Sequence, residues 1–213
     1  MIADTGLPDL AEVSVGTGGP GLSNLRQDRS HIGFDRRQHG RQHGRQRMAF
    51  TVRSDSFKDG DYLAKDHILS ADYGFGCEGG NKSPHLAWSG APTGTKSFAV
   101  TCFDPDAPTG SGFWHWLVVN VPPDVTELAL DAGNPKVPKL PKEALQTRTD
   151  FGAPGYGGPC PPLGDHPHRY LFTVFAVGVD SLPVTADTSA AIIGFQLNFN
   201  TLAKAAIMGL YKR

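Results

Sequence analysis

The chain has 213 residues, with 26 glycines, 17 prolines and a formal net charge of −1. That length suits one well-buried core, and Gly plus Pro reach roughly a fifth of the residues against a usual share of about 12%, which favours short strands and turns over a helical bundle. The charge is split: residues 1 to 47 carry seven Arg and five acids, while residues 48 to 213 carry thirteen Lys and Arg against sixteen acids. A mildly acidic globular part argues against a broad nucleic-acid surface.

Residues 1–47 hold few large apolar side chains and end in the tandem repeat "RQHGRQHGRQR". Such a segment buries too little surface to offset its ordering entropy. It is expected to be a disordered basic, His-rich leader, or sequence upstream of a true start at Met48, with a 48–213 domain following. The opening "MIADTGLPDLAEV" has acids where a signal peptide carries positive charge. The longest apolar run, "YLFTVFAVGV" at 170–179, falls far short of the ~20 residues of a membrane helix. A soluble cytoplasmic protein without a membrane span is expected. The three cysteines, Cys77, Cys102 and Cys160, are odd in number and irregular in spacing. They read as free thiols in a reducing compartment, with one disulfide plus a leftover thiol as the alternative.

From Phe50 onward, short β-type runs alternate with turn residues. The expected strands are 50–54, 97–104, 113–121 and 168–180, separated by Gly/Pro-rich connections such as "GFGCEGGNKSPHL" and "FGAPGYGGPCPPLGD". In "DTSAAIIGFQLNFNTLAKAAIMGLYKR" alanines and aliphatics recur at helical spacing, with Asp187 or Thr188 placed to cap and basic residues at the end. One or two C-terminal helices on a β-sandwich are therefore expected.

Strict alternation along 113–121 puts Phe113, His115, Leu117 and Val119 on one face and Trp114, Trp116 and Val118 on the other. Along 168–176 it groups His168, Tyr170, Phe172 and Val174 and sends Arg169 to the opposite face. Histidines thus stand near the starts of two strands, where "DPDAP" brings Asp104 and Asp106 and "GGPCPPLGDHP" brings a proline-stiffened rim. Local turn-holding is the plain reading of Asp104. The coincidence of two histidines, two aspartates and a tyrosine at loop-to-strand junctions favours a site.

"DPDAP" with its following "WHWLVVN" strand, then "GPCPPLGDHPHRYLFTVFA", resembles the phosphatidylethanolamine-binding protein family, also called the Raf kinase inhibitor protein family. "NKSPHLAW" is similar to that family's Asn-x-Ser-Pro-x-Leu-x-Trp segment, and "MGLYKR" to the close of its bacterial branch. The resemblance runs from about Phe50 to Arg213. It implies a mainly β fold, a Greek-key β-sandwich with a small pocket near one end closed by the C-terminal helical region. The pocket would take phosphate or a phosphorylethanolamine-like small anion. By resemblance its ligand-binding residues are Asp104, His115, Gly158, Cys160, His168 and Tyr170, with Asp106, Pro108 and Pro162 shaping it and Ala107–Pro108 a candidate cis peptide. Asp104 would orient a histidine, and backbone N–H groups of 157–160 would complete the cradle. No cofactor, metal or catalytic residue is expected. The alternatives are an inhibitor of a kinase or protease acting through protein binding, or a hydrolase using a metal at Asp104, Asp106, His115 and His168 or a thiol at Cys160. The bacterial branch also suggests a homodimer.

Overall fold

The computed structural model describes residues 49–137 and 139–213; the expected leader lies outside the described residues. The chain runs through β1 (Thr51–Arg53), β2 (Leu86–Ser89), β3 (Ser97–Asp104), β4 (Phe113–Val121), β5 (Glu127–Leu128), β6 (Leu145–Gln146), β7 (His168–Val177), α1 (Ala190–Asn200) and β8 (Thr201–Tyr211), with 3₁₀ turns at Lys65–His67 and Ala71–Tyr73. These strands form two antiparallel sheets, a small one ordered β1-β2-β5 and a large one ordered β6-β4-β3-β7-β8. The mainly β expectation therefore holds. No helix among the described residues is long and apolar enough to cross a membrane.

The large sheet is buried on both faces, which explains the nearly continuous apolar run of β3, "SFAVTCFD". Phe98, Val100 and Cys102 join Leu86 and Trp88 of β2 and Phe172 and Val174 of β7 in the main core. Ala99, on the reverse face, packs with Leu117, Val119, Ile193 and Leu197 in a second core. Helix α1 covers that reverse face through Ala190, Ile193 and Leu197, an i, i+3, i+7 stripe.

Two details of the C-terminal expectation change. Ser189 stands at the N-cap of α1 without a side-chain bond, whereas Thr188 Oγ1 accepts the N–H of Thr185. The helical spacing stops at Asn200, because Thr201–Tyr211 pairs along the whole of β7. Alanine, leucine and lysine are good helix formers, but a full ladder of partners overrides that preference. Gly209, opposite Tyr170, is needed there: a Cβ would lie 2.6 Å from the Leu63 side chain.

Strand β4 breaks the expected alternation. Its register against β3 passes from Phe103↔Trp114 to Cys102↔Trp116, so His115 has no partner and forms a β-bulge. Phe113 and His115 consequently share a side with Trp116 and Val118, while Trp114, Leu117 and Val119 face α1. The strict grouping of His115 with Leu117 and Val119 is thereby corrected. Both indoles do pack: Trp114 lies 4.4 Å from Phe103 between ring centroids, and buried Trp116 donates its Nε1–H to Gln146 Oε1 at 2.8 Å.

Candidate functional site

A cavity of about 200 Å³ opens at the end of the large sheet where β3 stops and β4 and β7 begin. Asp104, Pro108, His115, Cys160, Pro162, His168 and Tyr170 all border it, which brings together seven residues singled out from the sequence. Ala107, Thr109, Leu69, Phe75, Phe113, Phe151 and Pro161 complete the wall. A larger cavity of about 450 Å³ lies beside α1, but Lys204 is its one titratable lining group. The smaller cavity holds the chemistry.

Its polar floor is built around Asp104, 2% exposed. Oδ1 accepts the N–H groups of Asp106 (2.8 Å) and Ala107 (3.0 Å), while Oδ2 accepts Nδ1–H of His168 (2.8 Å). The aspartate thus holds the turn and orients a histidine at once. On its far side, His168 Nε2 lies 3.2 Å from Asp165 Oδ2. Burial works against a charged His168, but hydrogen bonds and attraction from Asp104 and Asp165 prevail and raise its pKa.

His115 behaves in the opposite way. Burial lowers its pKa, so the neutral ring is favoured. Its Nδ1–H donates to Gly157 O at 2.7 Å, which leaves Nε2 as the nitrogen available to a ligand. The ring sits edge-on to Tyr170 and Phe151, at centroid separations of 5.2 and 5.4 Å. The Tyr170 hydroxyl is buried and has no hydrogen-bond partner among the described residues. Burial, followed by the nearby Asp104 charge, pushes its pKa upward and keeps it an O–H donor.

Several sequence expectations are corrected here. Cys77 and Cys160 form a disulfide, and only Cys102, fully buried with its pKa raised by that burial, is a free cysteine among the described residues. Spacing could not reveal the pair, because the bond joins two Gly/Pro-rich loops 83 residues apart. Cys160 consequently has no thiolate to act as a nucleophile. Gly158 does not border the cavity: its N–H donates to Asn81 Oδ1, and Gly157 N–H donates to His115 O. Those two amides are therefore occupied and do not form a cradle. Asp106 faces outward, accepting Arg169 N–H, Nε and NH2 at 2.8–2.9 Å; the Arg169 hydrogen bond holds its pKa down at about 2. It shapes the pocket by fastening the 104–109 loop to β7.

The Ala107–Pro108 peptide is trans, since no cis bond occurs among the described residues. Helix α1 contributes nothing to this cavity and lies on the reverse face of the sheet, so the expected closure by a C-terminal helix does not occur. Asp104, Asp106, His115 and His168 do not form a metal-ligand cluster, because Asp106 is bound to Arg169 and Asp104 to the loop and His168. Sequence reasoning missed the aromatic wall of Phe75, Phe113 and Phe151, whose rings meet at 4.8–6.0 Å. It also passed over Asp165, although the spacing in "DHPH" was a usable signal.

Two antiparallel sheets with a cavity at one end that holds an acid–imidazole pair define a β-sandwich protein with a candidate pocket. A family model described as "Phosphatidylethanolamine-binding protein" matches residues 53–212, and the chain belongs to that family. Its relatives include two proteins of Escherichia coli strain K12. UPF0098 protein YbcL is 54% identical over 167 residues, covering 78% of this chain and 90% of YbcL. UPF0098 protein YbhB is 49% identical over 158 residues, covering 74% and 97% respectively. The crystal structure of E. coli YbcL, described as a new member of the mammalian PEBP family, superposes with a TM-score of 0.74 and covers 77% of this chain and 98% of that one. That of the phosphatidylethanolamine-binding protein homolog CT736 from Chlamydia trachomatis gives 0.64 at 29% identity, covering 78% and 98%.

Proposed function

We propose that the cavity binds a small phosphate-type head group, with a zwitterion such as phosphorylethanolamine as the best-fitting form. The observation that carries this reading is the Tyr170 hydroxyl, a buried donor without a partner among the described residues, on a side chain that borders the cavity with His115 and His168. A buried polar group left unpaired calls for a ligand or water to satisfy it. Unprotonated phosphate oxygens would accept from Tyr170, and a protonated phosphate oxygen would donate to the unpaired Nε2 of His115. A volume of about 200 Å³ accommodates a head group and is below the usual range of drug-sized sites.

Charge explains the preference for a zwitterion. Asp104 and Asp165 flank the single imidazolium of His168, so the group repels a bare dianion. An ammonium on the ligand would compensate through partly exposed Asp165 and the faces of the phenylalanine wall.

Calorimetric titration with phosphorylethanolamine, and with inorganic phosphate for comparison, tests the reading. Phosphorylethanolamine should bind more tightly than inorganic phosphate, and His115→Ala should weaken it by roughly tenfold or more, the scale of one or two lost charge-assisted bonds. Affinity should fall as pH rises from about 6 through about 8, because His168 loses its charge above the ordinary histidine value. Unchanged binding by both His115→Ala and His168→Ala would place the site elsewhere.

A further inference from the structure

The loop entering β7 gathers three donors, of which the head-group reading leaves His166 unused. Asp165, His166 and His168 each offer one ligand atom, and these atoms lie within 4.8 Å of one another. Asp165 Oδ1 is 2.8 Å from His166 Nδ1, and its Oδ2 is 3.2 Å from His168 Nε2. Pro167 between the histidines restricts the backbone that presents them. We propose that Asp165, His166 and His168 form a divalent transition-metal site of the zinc type at the cavity's edge, with Asp104 as the carboxylate behind His168.

The second observation is the buried Asp104–His168 bond, made on the side of the His168 ring away from Asp165 and His166. A carboxylate that accepts Nδ1–H fixes the tautomer with Nε2 free for a metal, orients the ring and strengthens it as a ligand. Asp104 is itself tied down by two loop amides, so this outer support is rigid. An ordinary exposed ion pair at Asp165 would need none of that buried machinery.

The donor set also selects the metal. Two imidazole nitrogens and one carboxylate suit Zn²⁺, Co²⁺ or Ni²⁺ better than Mg²⁺ or Ca²⁺, which favour all-oxygen shells. Three protein ligands leave a fourth tetrahedral position for water or an anion. His166, 61% exposed, keeps the approach from solvent open. The inference does not require a head group in the cavity, although His168 serves both readings.

The test is titration of the full chain with Co²⁺, followed by visible absorption, and competition by Zn²⁺. His39→Gln and His43→Gln are introduced throughout, so that the histidines of "RQHGRQHGRQR" do not compete. One Co²⁺ per chain, with the intense visible bands of a four-coordinate ion and displacement by Zn²⁺, is expected. His166→Ala and Asp165→Asn should each weaken it by at least about tenfold, and Asp104→Asn by about 10–100-fold, as for the loss of a supporting carboxylate. His166 is exposed, so that variant should keep its unfolding midpoint. Equal affinity and stoichiometry in His166→Ala, or no saturable Co²⁺ or Zn²⁺ binding at all, overturns the site. Phosphorylethanolamine titration in excess chelator scores the head-group reading separately.

Discussion

Replacing Asp104 with asparagine isolates the interaction that organises the pocket floor. The amide oxygen can still accept the N–H groups of Asp106 and Ala107, but the new NH₂ faces His168 Nδ1, 2.8 Å away in the native protein. His168, 1% exposed, must then turn Nδ1 into an acceptor and lose its buried counter-charge. A hydrogen bond between charged partners contributes about 1.5–3 kcal/mol, and breaking a buried ion pair costs about 3–5 kcal/mol. The retained amide contact and Asp165 soften the loss, so about 2–3 kcal/mol is expected at pH 6. Thermal unfolding should show a midpoint roughly 5–10 °C lower for a domain of this size. The folded-state pKa of His168 is raised, so its contribution is fully present below the unfolded value of about 6.5 and lost as pH rises through the folded value. The gap between wild type and variant should therefore narrow on the alkaline side, and NMR titration should show the His168 pKa falling in the variant. A destabilisation below about 0.5 kcal/mol, or an unshifted His168, would refute this account of the pair.

Two further outcomes follow from the loops around the cavity. Reduction of Cys77–Cys160, or its replacement by serines, releases a crosslink spanning 83 residues, for which chain entropy gives about 4.5 kcal/mol at most and experience about 2–4. Urea unfolding with and without reductant measures it, and equal midpoints would mean that other contacts hold the loops. Gly158→Ala should destabilise by about 2 kcal/mol or more, because its Cβ would lie 2.2 Å from His67 O and 2.6 Å from Leu69 N. Normal stability in that variant, measured by the same urea series, would show that the 157–160 loop can shift.

Residues whose roles rest on local pattern were the legible ones. The run of β3 and the alternation of His168, Tyr170 and Phe172 along β7 placed two adjacent strands of the large sheet, and with them His168 and Tyr170 beside Asp104 at the cavity. Motif resemblance then joined Asp104, His115, His168 and Tyr170, which lie far apart in sequence and border one cavity. What stayed hidden depends on long-range pairing. Strand β8 reads as helix until β7 is beside it, and Cys77 finds Cys160 only after two irregular loops meet. That crosslink also removes the cysteine argument for a reducing compartment, since it rested on Cys77 and Cys160 being thiols.

The bulge at His115 has a second counterpart in the same strand. Register against β3 slips again between Val118 and Val121, where Asn120 takes a positive φ of 59°. Each slip reverses the inward-facing parity, so the two cancel and Val121 returns to the phase set by Phe113 and His115. The middle of β4 is thus a phase-shifted insert flanked by strand ends that agree with each other. Side chains 116–119 can answer to the two cores while His115 answers to the pocket, and a change in one packing layer need not rotate the histidine out of the other.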